Sequence, residues 1–230
     1  MAAAAFFDLD RTLIRRSSAL ALAPSFRTYG VISRVQLAKA AFWQLLFVAR
    51  GASAEIVRSA AEEGLMILRG FTPARMAELV EGALEPVLKP LVYPEAVALA
   101  REHQERGEPV YIVSAMLQEI ADAIAADLGF DGALGTVCEV VDGKYTGRWL
   151  RSCHGAGKAA AVRELADTEG FDLRVSTAYS DSHSDIPFLE IVGRPVAVNP
   201  DRELRRSARE RGWPVVEFGV PRRRFGRRAA

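Results

Sequence analysis

The chain has 230 residues, half of them hydrophobic, and a formal net charge of +1. That suffices for one ordinary domain with a large core, and it excludes both wholesale disorder and a dedicated nucleic-acid binder. The imbalance is local: five arginines fall within residues 221–230, so the rest of the chain is mildly acidic and the tail reads as a separate, frayed basic feature.

Residues 4–9 (AAFFDL) open the chain as a strand, with no cationic segment ahead of the apolar run to mark a signal peptide. The run ends in two carboxylates, Asp8 and Asp10. From about residue 15 to 89 the pattern is helical throughout, in pieces 31–51, 52–70 and 72–90 punctuated by glycine and proline. A crossover of that length far exceeds what a connection needs, so it reads as an inserted helical subdomain. Its most apolar piece, residues 37–49, contains Lys39 and Gln44 and is shorter than a membrane span of roughly 18 residues.

Alternation follows. A helix over 94–107 leads to a strand over 109–115, and a helix over 117–129 leads to two strand-like halves, 135–150, around Asp142-Gly143, a dipeptide suited to a hairpin turn. A helix over 157–170, a strand over 174–180, a strand over 195–198, a helix over 201–212 and a strand over 214–218 complete the chain. Strands alternating with helices predict a doubly wound α/β fold with a parallel sheet. The expected division is a core of residues 1–14 and 90–220, a helical cap of 15–89, and a disordered tail of 221–230.

In such sheets ligands sit at the carboxyl ends of the strands. Those ends would deliver Asp8 and Asp10 from the first strand, Ser114 from the second, Lys158 from a helix start, and Asp181 and Asp185 from residues 179–185. Four carboxylates in one pocket repel unless a hard cation joins them, and oxygen-only ligation points to Mg²⁺ and a phosphate substrate. Singly, each residue has a plainer reading, as a turn residue, a helix cap or a solvated lysine. Other groups carry less: His103 lies among charges and is expected at the surface. Cys153, His154 and His183 fit no usual zinc spacing, and residues 152–159 lack the leading glycine and the Ser/Thr of a P-loop. Two cysteines, Cys138 and Cys153, are too few for a disulfide framework, so a soluble cytoplasmic protein with reduced thiols is expected.

In order and context, DLDRT (8–12), VYIVSA (110–115), Lys158 and SDSHSD (180–185) resemble the motifs of the haloacid dehalogenase superfamily of phosphatases. The helical insertion, VVDGKYTGR (140–148) and CHGAGK (153–158) resemble its phosphoserine-phosphatase-like branch. The resemblance implies a phosphomonoester phosphatase with Asp8 as nucleophile and Asp10 as general acid and base. It implies Mg²⁺ held by Asp8, the Asp10 carbonyl and Asp181, with Asp185 in the outer shell. Ser114, the Ala115 amide and Lys158 would hold the phosphoryl oxygens.

The chain departs from that branch where the substrate is gripped. Ser17 stands where the ammonium-binding glutamate is expected, after Arg15 and Arg16, and Gly64 stands near the place of the carboxylate-binding arginine. Losing both charge partners argues against phosphoserine and leaves a small phosphorylated metabolite as the expected substrate, with Arg15, Arg16 and Ser17 as selecting residues. A lipid-phosphate head group, met by the apolar run 40–49 and the basic tail in weak membrane association, is the alternative. A homodimer is compatible with that run, and a non-catalytic regulatory protein would have lost a nucleophile or metal ligand, which this chain has not.

Overall fold

The computed structural model describes residues 2–31 and 66–219. Expectations for the middle of the helical insertion, with Gly64 and the run 40–49, and for the basic tail lie outside the described residues.

Seven strands form one sheet in the order β4-β3-β2-β1-β5-β6-β7. They are β1 (Ala5–Phe7), β2 (Val110–Leu117), β3 (Gly132–Val141), β4 (Lys144–Arg151), β5 (Thr177–Ser180), β6 (Arg194–Val198) and β7 (Val215–Val216). All neighbours run parallel except β3 and β4, which make a hairpin at one edge. Its turn residues Asp142 and Gly143 both take positive φ, 51° and 73°, the backbone a tight turn between twisted strands requires.

Seven helices complete the described fold: α1 (Ser18–Thr28), α2 (Pro73–Ala83), α3 (Pro94–Glu105), α4 (Gln118–Leu128), α5 (Ala156–Glu169), α6 (Ile186–Leu189) and α7 (Arg202–Arg211). They cover both faces of the central sheet, so the side chains of β1 and β5 are buried whichever way they point. Phe6 and Phe7 in β1 illustrate it. Phe7 packs with Ile112, Ile120 and Ile124, and Phe6 packs in a second cluster with Val113, Val162 and Phe188. Two adjacent phenylalanines belong to opposite cores because side chains alternate across a strand.

The described ends of the insertion dock on this frame. Leu22 of α1 and Met76, Leu79 and Val80 of α2 share one apolar cluster with Ile120 and Ile124 of α4. The returning chain is also clasped at the sheet edge, where Gly70 N–H donates to the Tyr145 carbonyl (3.0 Å) and Tyr145 N–H to the Phe71 carbonyl (2.8 Å).

Three local expectations change. The helix expected over 72–90 stops at Ala83 and widens into a π-turn, Leu84–Leu88, then a 3₁₀ turn, Lys89–Leu91. Pro86 and Pro90 have no N–H to continue the ladder. The strand expected over 174–180 begins only at Thr177, because Leu173–Val175 form a 3₁₀ turn that Asp172 caps by accepting from Arg174 N–H.

The third change is His103, which is buried rather than at the surface. Its Nδ1 meets the Glu108 carboxylate and its Nε2 lies 2.7 Å from the Tyr179 hydroxyl. A neutral ring with its proton on Nδ1 satisfies both. Tyr179 in turn stacks on Phe7 with centroids 4.2 Å apart. Burial holds the His103 pKa below its ordinary value, against the opposing pull of Glu108. A depressed histidine contributes nothing above its unfolded value and costs stability as pH falls below it, since only the unfolded ring takes up a proton. His103→Gln is therefore expected to cost about 1–3 kcal/mol near neutrality. The loss should shrink in acid, as read from urea midpoints at several pH values.

Candidate active site

At the carboxyl end of β1, Asp8 N–H still donates to the Tyr179 carbonyl of β5 (2.9 Å), so the central strand fixes the backbone beneath its carboxylate. Beyond it the chain turns sharply, with Leu13 and Ile14 both donating back to the Leu9 carbonyl and Arg11 at φ 61°. That turn carries Asp10 to the start of α1, where its Oδ1 accepts the Ser18 N–H at 2.8 Å. One carboxylate thus ends a strand and the other rests on a helix N-terminus.

Lys158 enters from α5. Gly157 lets the helix start that close: a Cβ there would lie 2.1 Å from the Ser152 carbonyl oxygen. The ammonium is buried, donates to Asp8, and donates to Asp185 Oδ2 at 2.7 Å. Asp185 is also held by the Ser180 hydroxyl at 2.7 Å. Burial disfavours that ammonium, but the charges of Asp8 and Asp185 outweigh it and hold its pKa well above the ordinary value.

The carboxylates fare differently. Burial, with Asp185 and Asp10 adding to it and Lys158 opposing, pushes Asp8 up to about 7. Burial and then the Asp8 charge push Asp181 up to about 8. Burial also raises Asp10, against the Ser18 hydrogen bonds. One lysine does not neutralise this cluster.

The donor set fits a hard cation. Asp8 and Asp181 are both buried, and among the described residues the cation nearest Asp181 is the mostly exposed Arg11, 4.0 Å away. Two carboxylates and a backbone carbonyl would be the protein's share. Among the described residues, three or more His, Cys, Asp or Glu side chains do not come together as a ready-made metal cage. Mg²⁺ does not require one, since it keeps several waters.

Ser114 lies near the end of β2, where pairing with β3 is broken between Val113 and Leu117. Its buried hydroxyl accepts the Met116 N–H at 3.2 Å, and Ala115 is exposed. The structure thus places Asp8, Lys158, Asp185 and Asp181 in one buried cluster, with Asp10 beside it. The three selecting residues fare less evenly. Arg15 lies over the Tyr93 ring, 5.5 Å from its centroid, and Arg16 is exposed. Ser17 is the N-cap residue of α1 but makes no capping bond with its side chain.

Two residues the sequence did not single out support these loops. Thr136 of β3 donates to the Ala115 carbonyl (2.9 Å) and accepts from Cys153 N–H (3.2 Å). Asp201 caps α7 through Leu204 N–H (2.7 Å) and accepts His183 N–H (2.8 Å), while its own N–H donates to the Asp181 carbonyl (2.8 Å). An Asp beginning a helix was legible as a cap; its hold on the 181–185 loop was not. Asp201→Ala is expected to cost about 2 kcal/mol, the upper range for a lost N-cap, and Asp201→Asn much less. Chemical denaturation of the two variants separates these values. Both cysteines are buried free thiols, which burial raises to about 11.

Comparison with known proteins agrees with this geometry. The family model described as haloacid dehalogenase-like hydrolase matches residues 5–190. A probable phosphatase of Mycobacterium tuberculosis is 42% identical over 218 residues, covering 95% of this chain and 76% of its own. A phosphoserine phosphatase of the same organism is 39% identical over 229 residues, covering 97% and 73%. Among solved structures, a Bordetella pertussis protein of unknown function superposes with a TM-score of 0.82 at 30% identity, covering 94% of this chain and 98% of that one. Sheet, site and relatives agree: the chain belongs to the haloacid dehalogenase-like hydrolases and is an enzyme of their phosphatase type.

Proposed function

We propose that the protein hydrolyses a small phosphorylated metabolite through an aspartyl-phosphate intermediate, with Mg²⁺ as cofactor. One observation carries the reading: a buried Asp8 paired with Lys158 at the end of the central strand, with Asp10 on the adjacent helix start. Lys158 keeps the Asp8 carboxylate available despite its burial, and Asp8 attacks phosphorus in line. Burial raises the Asp10 pKa and so favours its protonated form, which gives its proton to the leaving oxygen. Asp10 then takes a proton from the water that attacks the aspartyl phosphate. Ser114, the Ala115 amide and Lys158 hold the phosphoryl oxygens.

Asp8, the Asp10 carbonyl and Asp181 would hold the Mg²⁺, with Asp185 behind them. When bound, it supplies positive charge against the phosphoryl oxygens and relieves the crowding of carboxylates. Arg16 and Ser17 stand where the chain enters the proposed cap, the middle of which lies outside the described residues. Arg15, already engaged by Tyr93, is the weaker selecting candidate. No described helix is long and apolar enough to cross a membrane.

The test is a panel of phosphomonoesters assayed with Mg²⁺, including p-nitrophenyl phosphate, phosphoserine, histidinol phosphate and lipid phosphates. Hydrolysis of the generic ester with poor use of phosphoserine is the expected outcome. No hydrolysis of any ester would end the catalytic reading, and a strong preference for phosphoserine would end the argument from Ser17.

A further inference from the structure

The two loops that flank the phosphoryl position are joined by a chain of hydrogen bonds through a residue that touches no substrate. It begins at Cys153 N–H, in the loop that leads into α5 and Lys158. That N–H donates to Thr136 Oγ1 (3.2 Å), and the Thr136 hydroxyl donates to the Ala115 carbonyl (2.9 Å). The same peptide group, through Met116 N–H, donates to Ser114 Oγ (3.2 Å). Every bond therefore runs in one direction, from the Cys153 loop to the Ser114 hydroxyl.

Two consequences follow from that direction. The peptide between Ala115 and Met116 is pinned at both its carbonyl and its N–H, which fixes the orientation of the exposed Ala115 just before it. The Ser114 oxygen, accepting the Met116 N–H, keeps its own proton available for donation to an anion. Bonds aligned this way polarise one another, so loss of the middle link weakens the terminal donor as well as loosening the loop.

The location explains why a side chain is needed. Backbone pairing between β2 and β3 lapses between Val113 and Leu117. Thr136 is buried at that gap and supplies from its side chain the bonds the ladder no longer makes.

We propose that Thr136 is a positioning residue of the phosphate cradle, setting the Ser114 hydroxyl, the Ala115 amide and the loop ahead of Lys158 as one unit. This rests on the proposed assignment of those groups to the phosphoryl oxygens.

Thr136→Val keeps the shape and removes the hydroxyl, whereas Thr136→Ser keeps the hydroxyl. With p-nitrophenyl phosphate as substrate and inorganic phosphate as competitive inhibitor, Thr136→Val is expected to raise the phosphate Ki about tenfold and lower kcat/KM about a hundredfold. Thr136→Ser should return both to within about threefold of the unaltered enzyme, the residual reflecting the missing methyl. If Thr136→Val folds poorly, Thr136→Ala is read in the same way, normalised to folded enzyme. A lowered melting temperature with an unchanged phosphate Ki would show a purely structural role and overturn the proposal. So would a serine variant no better than the valine one. If the unaltered enzyme neither hydrolyses the ester nor binds phosphate, the functional reading itself falls, and the positioning role with it.

Discussion

Asp8→Asn is expected to lower turnover of any phosphomonoester by at least about four orders of magnitude while leaving the protein folded. In the proposed mechanism the substitution removes the attacking oxygen, at the carboxylate whose backbone the central strand fixes. Its effect on stability is expected to be small, for a reason visible in the site. Burial raises the Asp8 pKa to about 7. A carboxyl raised in this way costs stability as pH climbs from its unfolded value toward its folded one, so a neutral amide removes a cost as well as a favourable pair. Lys158 keeps Asp185 as its partner at 2.7 Å. The melting temperature of Asp8→Asn near pH 8 should thus lie close to that of the unaltered protein, within about 4 °C. Activity surviving in this variant would remove Asp8 as nucleophile. Loss of both activity and fold would show that the pair, not the chemistry, had been tested.

Lys158→Met is expected to damage both. It leaves Asp8 and Asp185 buried together without their common cation, and breaking a buried pair in this way costs about 3–5 kcal/mol. The sign of its pH dependence is fixed by which group remains. With the ammonium gone, the Asp8 carboxyl is raised further, so the penalty is largest above neutrality and is relieved as acid protonates it. The opposite trend, a loss growing toward low pH, would mean that Lys158 does not compensate carboxylates. Catalysis should fall by about a thousandfold or more even in folded enzyme, since one removed charge-stabilising donor alone is worth 10²–10³. Divalent cation should restore part of the melting temperature but little of the turnover, because a cation near Asp181 offsets charge without replacing a donor to the phosphoryl oxygens. Calorimetry with and without Mg²⁺, at about pH 6 and about pH 8, separates the two contributions.

The candidate cluster was legible in the sequence because each member sits where a local pattern changes: Asp8 at the end of an apolar run, Lys158 in a helix's first turn, Asp181 and Asp185 after a short strand. The alternation of strands with helices and the hairpin at Asp142-Gly143 followed from the same punctuation, whereas the order of the strands in the sheet did not. Residues whose role depends on distant partners were not legible. His103 sits in a charge-rich helix, and only the fold reveals that Tyr179 waits across the core. Thr136 reads as an ordinary strand threonine until the lapse in pairing beside it is known. The turns after Ala83 were hidden for another reason. The apolar spacing continues through Leu84 and Leu88, while two prolines withdraw the hydrogen bonds that the spacing presupposes.

The central position of β1 also bears on how the enzyme comes to exist. Ala5 lies opposite Val110 on one side and Thr177 on the other. The strand that ends in Asp8 therefore takes both of its neighbours from far along the chain, and its two phenylalanines are buried only by elements that lie beyond them in sequence. Such distant pairings close slowly. Ser114 from β2 and Asp181 beyond β5 stand on opposite sides of that strand, so the cluster around Asp8 exists only when both pairings have closed.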